Sequence, residues 1–96
     1  PGVIVNAGSK IGVGVILNSA SVIDHDCEIG RCAHISPGVH LAGGVQVGCR
    51  AWVGIGASVI QGMKIGSDSI IGAGSVVVAD VPNDVTAAGV PSRVIG

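Results

Sequence analysis

The sequence predicts an all-β fold, a parallel β-helix wound from hexapeptide repeats, and three observations predict it. A six-residue period of branched aliphatics runs through almost the whole chain, and no insertion breaks it between Val5 and Pro82. Glycine supplies 17 of the 96 residues, without the three-residue period of collagen. There is one Trp and no Phe or Tyr, although 48% of residues are apolar. A core of Leu and aromatic rings cannot be assembled from that list. Val, Ile and Ala are available instead, and they suit many short, thin strands.

The period itself is read by taking every sixth residue: Val5, Ile11, Leu17, Ile23, Ile29, Ile35, Leu41, Val47, Val53, Val59, Ile65, Ile71 and Val77. All are branched aliphatics, in a chain that is about half apolar. The residue two places earlier, as Cys27 is to Ile29, is small or aliphatic throughout. Two inward residues at a spacing of two make a strand. The residue after each aliphatic is often Gly, Asn or Asp, which tolerate a left-handed corner. Corners are therefore expected at pairs such as Gly30-Arg31, and the tail from Val81-Pro82 onward leaves the rhythm. The expected division is a β-helix over 1–82 and a C-terminal arm over 83–96.

This pattern resembles the hexapeptide-repeat left-handed parallel β-helix, in which three hexads form one triangular coil. The resemblance supplies the hand, since left-handed crossovers oppose the usual rule. It implies a little over four coils, each ~4.8 Å above the last. Residues eighteen apart in sequence then become vertical neighbours.

That register turns the sequence into a surface map. Lys10, Glu28, Gln46 and Lys64 stack on one outer face, with Asp26 and Asp80 beside them, and make it polar. Ile16, His34, Trp52 and Ile70 stack on the next, an apolar stripe of the kind that marks an interface. Ala20, Gly38, Gly56 and Gly74 stack on the third, bordered by the corner residues Ser19, Pro37, Ile55 and Ala73. This nearly side-chain-free track either admits a long thin ligand close to the backbone or simply meets the needs of tight corners. The Gly-x-Gly pairs 54/56 and 72/74 lack the third Gly and the helix of a dinucleotide fingerprint.

Three histidines carry the candidate chemistry. His25 lies at a corner within Asp24-His25-Asp26-Cys27-Glu28, and Gly43 stands one coil above it. Carboxylates around an imidazole favour its protonated form, so Asp24, Asp26 and Glu28 are expected to strengthen His25 as a base. A glycine loop above it can aim backbone N–H groups at an oxyanion. The alternative is a solvated corner histidine. His34 and His40 are outward strand residues. Cys27 points inward and is expected to be inert. Cys32 and Cys49 have no aligned histidine. An odd number of cysteines without paired spacing is no disulfide framework.

Val22-Ile-Asp-His-Asp-Cys-Glu-Ile-Gly30, then His34-Ile-Ser-Pro-Gly38 and Leu41-Ala-Gly-Gly44, is similar to the sialic acid O-acetyltransferase and bacillosamine N-acetyltransferase type of sugar acetyltransferase. The resemblance implies an acetyl-CoA-dependent acetyltransferase acting on an amino or hydroxyl group of a sugar or nucleotide sugar. It implies His25 as general base, Asp26 as the residue that strengthens it, and His34 in contact with acetyl-CoA. It implies the Gly43 amide on the thioester carbonyl and Ile55 and Ala73 lining the CoA site. Ala73 replaces a Gly often found there. Gly56 and Gly74 belong to the same track. The ending Gly89-Val-Pro-Ser-Arg-Val-Ile-Gly96 resembles the tail of such enzymes, with Arg93 placed for a CoA phosphate or, alternatively, in a plain capping arm. Family members carry an αβ substrate-binding domain ahead of the β-helix. These residues hold none, and the Pro-Gly start reads as a processed or excised piece.

The assembly expected is a homotrimer with intersubunit sites, because His25 and the Ile55/Ala73 track fall at different corners of the triangle. A non-catalytic trimerising scaffold is one alternative. A zinc enzyme using His25, His34 and His40 in the manner of the β-helical carbonic anhydrases is another, though no metal is expected. A net charge of −1 with 11% charged residues excludes a basic nucleic-acid binder. No run of about 18 apolar residues points to a membrane span, and a cytoplasmic location is expected.

Overall fold

The computed structural model describes residues 2–96. Fifteen short strands follow one another: β1 (Ile4–Val5), β2 (Lys10–Ile11), β3 (Ile16–Leu17), β4 (Val22–Ile23), β5 (Glu28–Ile29), β6 (His34–Ile35), β7 (His40–Leu41), β8 (Gln46–Val47), β9 (Trp52–Val53), β10 (Ser58–Val59), β11 (Lys64–Ile65), β12 (Ile70–Ile71), β13 (Val76–Val77), β14 (Thr86–Ala88) and β15 (Arg93–Val94). They build three parallel faces of a prism. The first face stacks β1-β4-β7-β10-β13, the second β2-β5-β8-β11, and the third β3-β6-β9-β12-β14, with β15 closing it antiparallel. The prism measures 32 × 21 × 21 Å.

The expected register holds from β1 to β13. Ile4 pairs with Val22, Val22 with His40, His40 with Ser58 and Ser58 with Val76. The outward columns Lys10–Glu28–Gln46–Lys64 and Ile16–His34–Trp52–Ile70 form as read. The inward columns make a single core in which Ile23, Ile35, Leu41, Val53, Ile71 and Val77 are fully buried. A β-helix uses no large rings because only about a coil height of space, ~4.8 Å, separates one inward side chain from the next.

The corners sit one residue later than the sequence suggested. The turn pairs are 25–26, 31–32 and 37–38 and their stacked equivalents, not Gly30-Arg31 and its kind. Left-handed φ falls three residues after each aliphatic from Val5 to Ile71, at Asp26 (57°), Cys32 (57°) and Gly44 (72°) for example. Asp26 is thus the second corner residue and not part of a strand, and the expected outward column Ala20–Gly38–Gly56–Gly74 is likewise a column of second corner residues. The outward column of that face is Ile4–Val22–His40–Ser58–Val76. The glycine directly after an aliphatic has a different cause: steric, not conformational. A Cβ on Gly30 would lie 2.7 Å from the Cys49 nitrogen, and one on Gly54 2.6 Å from the Ile71 oxygen. The next coil's backbone occupies the space a side chain would need.

The rhythm changes after Val77, but stacking continues. β14 pairs in parallel with β12 through Ile70↔Thr86 and Ile71↔Ala87, a spacing of sixteen instead of eighteen. Ile65↔Val81 has the same spacing. Thr86–Ala88 is therefore a further rung, so the stack exceeds the four-odd coils counted from hexads. The chain then turns back so that β15 pairs with β14, Ala87 opposite Val94 and Ala88 opposite Arg93. No helix among the described residues is long and apolar enough to cross a membrane.

Candidate active site

His25 and Asp26 form the corner between the first and second faces, and Gly43-Gly44 forms the same corner one coil above. The register brings His25 and Gly43 into contact. The Gly44 N–H donates to the His25 carbonyl at 3.0 Å. A Cβ on Gly43 would lie 2.6 Å from both Cε1 and Nε2 of His25. The imidazole therefore lies flat against the Gly43 α-carbon, where only glycine leaves room. Its side chain is 66% exposed.

The three carboxylates around His25 do three different things. Asp26 Oδ2 lies 3.3 Å from His25 Nδ1. Asp24 instead accepts the His25 backbone N–H on Oδ1 at 2.8 Å and the Asn6 amide at 3.2 Å. Its other oxygen faces His40 Nε2 at 4.0 Å. Those donated hydrogen bonds, the His25 amide first, hold the Asp24 carboxyl below its ordinary value of 3.8. Glu28 points outward on the second face and pairs with neither histidine. The three-carboxylate setting expected for His25 thus reduces to one side-chain partner, because alternate residues of a strand leave on opposite sides and a corner turns the chain away.

Asp26 has a second distinction. The residues stacked with it at this corner are Gly8, Gly44 and Gly62, all with positive φ. Asp26 takes the same conformation with a side chain, at a cost of roughly 1–2 kcal/mol for an ordinary residue and less for Asp. Its carboxylate lies over Gly8, where any Cβ would strike Asp26 Oδ1. Gly8 was missed in the sequence, although it stands eighteen residues before Asp26 in the same register.

Some corner amides have side-chain acceptors: those of Cys49 and Ser67 donate to Ser67 Oγ and Asn83 Oδ1 of the next coil. Asn18 and Asp24 accept the N–H of Ser19 and His25 through their own side chains. Ala42, Gly54 and Gly72 offer no such acceptor. The N–H groups of Gly43, Ile55 and Ala73 have no acceptor among the described residues.

Ile55 and Ala73 lie at the corner between the third and first faces. A groove of about 530 Å³ runs along it, lined by His34, Pro37, Trp52, Gly54, Ile55 and Ala73 among others. Gly56 and Gly74 border it with φ of 68° each and nothing within 4 Å of an added Cβ. Their glycines answer a conformational need, which favours the tight-corner reading of the track, and they also leave the approach open. His34 stacks on Trp52 with ring centroids 3.9 Å apart and planes 20° from parallel. Arg93 is exposed on β15, at the end of the prism where this corner column finishes. A larger groove of about 750 Å³ covers the polar second face and touches none of His25, His34, Ile55 or Ala73.

Cys27 is buried, donates its thiol to the Ala42 carbonyl at 3.2 Å, and is pushed up in pKa by that burial. Cys32 is exposed and Cys49 half-buried. Among the described residues no three His, Cys, Asp or Glu side chains converge within one chain as metal ligands do.

These features define a class: a hexapeptide-repeat parallel β-helix with a histidine-bearing corner and an apolar groove at another. No protein-family model matches the chain. Solved structures do. It is similar to perosamine N-acetyltransferase from Caulobacter crescentus, solved as a His-to-Asn variant in complex with CoA and GDP-perosamine, with 41% identity, a TM-score of 0.88, and coverage of 100% of this chain and 54% of that one. It is similar to the acetyltransferase domain of PglB from Neisseria gonorrhoeae, with 41% identity, a TM-score of 0.97, and coverage of 98% and 46%. Serine acetyltransferase from the same organism follows at 31% identity, a TM-score of 0.88, and coverage of 96% and 42%. The chain thus spans about half the length of the solved relatives it matches. Over that span it resembles, in sequence and in structure, the β-helix of hexapeptide-repeat sugar acetyltransferases. A helix of the opposite hand would not superpose at such a score, so the coil is left-handed.

Proposed function

We propose that this chain is an acetyl-CoA-dependent acetyltransferase domain that acetylates an amino or hydroxyl group of a sugar or nucleotide sugar, with His25 as general base. The observation that carries the reading is the meeting of a base and a free amide at one corner: the His25 ring lies on Gly43, whose N–H has no protein acceptor. The greater identity to perosamine N-acetyltransferase (41%) than to serine acetyltransferase (31%) supports a sugar acceptor. The PglB domain has also been solved with acetyl coenzyme A. As co-substrate, acetyl-CoA supplies the acetyl thioester.

The chemistry follows from the groups present. An Nδ1–H donated to Asp26 leaves the His25 Nε2 lone pair free. Nε2 takes the proton from the acceptor nitrogen or oxygen as that atom attacks the thioester carbonyl carbon. The Gly43 N–H donates to the carbonyl oxygen as negative charge develops there. The C–S bond then breaks, the acetyl group stays on the acceptor, and the His25 imidazolium returns its proton to the departing CoA sulfur. No covalent enzyme intermediate is needed, and Cys27, the thiol nearest in sequence, is buried.

The donor lies along the groove of His34, Ile55, Gly56, Ala73 and Gly74. The free amides of Ile55 and Ala73 meet its carbonyl groups, and Arg93 meets a phosphate at the end. His25 and this groove are at different corners, separated by the first face, which is about four residues or ~13 Å wide. A homotrimer brings the histidine corner of one subunit to the groove of the next. Acetyl-CoA and three unpaired cysteines fit a cytoplasmic setting.

The experiment is calorimetric titration of the folded protein with acetyl-CoA, followed by an acetyl-transfer assay on amino-sugar nucleotides. Stoichiometric binding and turnover are expected. A well-folded trimer that binds no acetyl-CoA is a scaffold, and this reading is then wrong.

A further inference from the structure

Trp52 is the chain's one large aromatic side chain, and it is spent where the fold does not need it. It is 50% exposed. The positions below and above it in the outward column include Ile16 and Ile70, so the same place in the coil accepts Ile. Burial does not explain an indole there, since its inward neighbour Val53 fills the core at that rung.

What Trp52 touches is His34. The two are register partners on adjacent rungs, stacked at 3.9 Å. The other two histidines face carboxylates, His25 with Asp26 at 3.3 Å and His40 with Asp24 at 4.0 Å. Among the described residues the His34 ring nitrogens have no hydrogen-bond or ion-pair partner, so the indole is the only specific contact on that ring. The second torsion of a histidine is otherwise broad and roughly two-fold. A stacked indole removes one of the ways the ring can turn, and it does so with only two torsions of its own to fix. Both side chains line the groove beside Ile55 and Ala73.

We infer that Trp52 is a positioning residue for the acyl donor: by stacking on His34 it holds that imidazole in the orientation in which its free nitrogen meets acetyl-CoA. The inference rests on the reading that this groove takes acetyl-CoA. Trp52 acts through His34 and not by touching the reacting atoms.

A thermodynamic cycle with an independent view of the ring tests this. The proteins are wild type, Trp52→Phe, Trp52→Ile, His34→Ala and the His34→Ala/Trp52→Ile double variant, all as intact chains. Ile is chosen because the column already carries it. In the unliganded wild type, NMR is expected to show the His34 ring protons shifted upfield by the indole, and Trp52→Ile is expected to abolish that shift. Acetyl-CoA affinity is expected to fall about three- to tenfold in Trp52→Ile, to be largely kept in Trp52→Phe, and to fall no further when Trp52→Ile is added to His34→Ala. The Michaelis constant for the acceptor is expected not to move.

Equal losses from Trp52→Ile in the presence and absence of His34 overturn the inference, because Trp52 then contacts the ligand itself. Loss of the oligomer in Trp52→Ile, seen by sedimentation, also overturns it, since Trp52 is then an interface residue. If the ring shift behaves as expected but wild type binds no acetyl-CoA, the functional reading has failed and the positioning role falls with it, while the stack itself stands.

Discussion

Gly43→Ala puts a single methyl group between two parts of the proposed site and leaves the rest alone. Gly43 does not have a positive φ, so alanine fits its backbone. The new Cβ would stand 2.6 Å from Cε1 and Nε2 of His25, where ordinary contact begins at 3.4 Å. The imidazole must therefore retreat by roughly 1 Å, a misplacement that costs on the order of 10²-fold in rate, or ~2.7 kcal/mol of transition-state stabilisation. The ring is largely exposed and can swing outward, so the fold is not strained. Removing glycine from the unfolded chain even favours folding by about 0.4–1 kcal/mol. The amide N–H that would meet the oxyanion survives. Steady-state acetyl transfer and thermal melting, measured on the same samples, read the two effects apart. A fall of about 10² in kcat with an unchanged or slightly raised Tm is expected. An unchanged kcat would refute the argument that the place of His25 over Gly43 sets the rate. A collapsed Tm would refute the claim that the ring can yield.

Further outcomes follow from the same geometry. His25→Ala is expected to lower kcat by about 10²–10⁴-fold, measured under saturating acetyl-CoA. Asp26→Asn is expected to cost less than that and to move the pH–rate profile, since it keeps the left-handed corner but removes the charge beside Nδ1. Ile71→Ala, in the fully buried core, is expected to lose about 2–4 kcal/mol in denaturant unfolding without a specific effect on the Michaelis constants. Asp24 and Asp68 both fold with carboxyls below 3.8, Asp24 through the His25 and Asn6 donors and Asp68 through the bidentate Arg50 pair. A depressed carboxyl stabilises the fold above its ordinary range and loses that contribution as pH falls through its folded value. Unfolding free energy is therefore expected to drop as pH is lowered below about 4, and less steeply in Asp68→Asn.

Much of this was legible from one number, the eighteen-residue register. It placed His25 under Gly43, aligned the outward apolar stripe and put the column of aliphatics from Ile23 to Val77 inward, because in a coil with no insertions vertical neighbours follow from counting. The corners were harder. Gly is favoured at two positions of each hexad for unlike reasons: at Gly44 the backbone needs positive φ, and at Gly30 the next coil leaves no room for a Cβ. Composition cannot separate the two, so the corners were set one residue early and Asp26 was assigned to a strand. The partition of carboxylates also lay beyond the sequence. Asp24, Asp26 and Glu28 are near neighbours along the chain, yet a corner sends one to a backbone amide, one to the imidazole and one to another face. The continuation past Pro82 was hidden because two residues drop out of the spacing just where the hexad pattern fades.

The central claim is that one acetyl-CoA is served by the His25 corner of one subunit and the groove of its neighbour. Mixing two inactive proteins tests it most directly: His25→Ala, which keeps the groove, and Ala73→Trp, which blocks it. After denaturation and joint refolding at equal amounts, activity is expected to return to about a quarter of wild type, the share of intersubunit sites that combine both intact halves in a random trimer. Mixtures no more active than either parent would contradict the account.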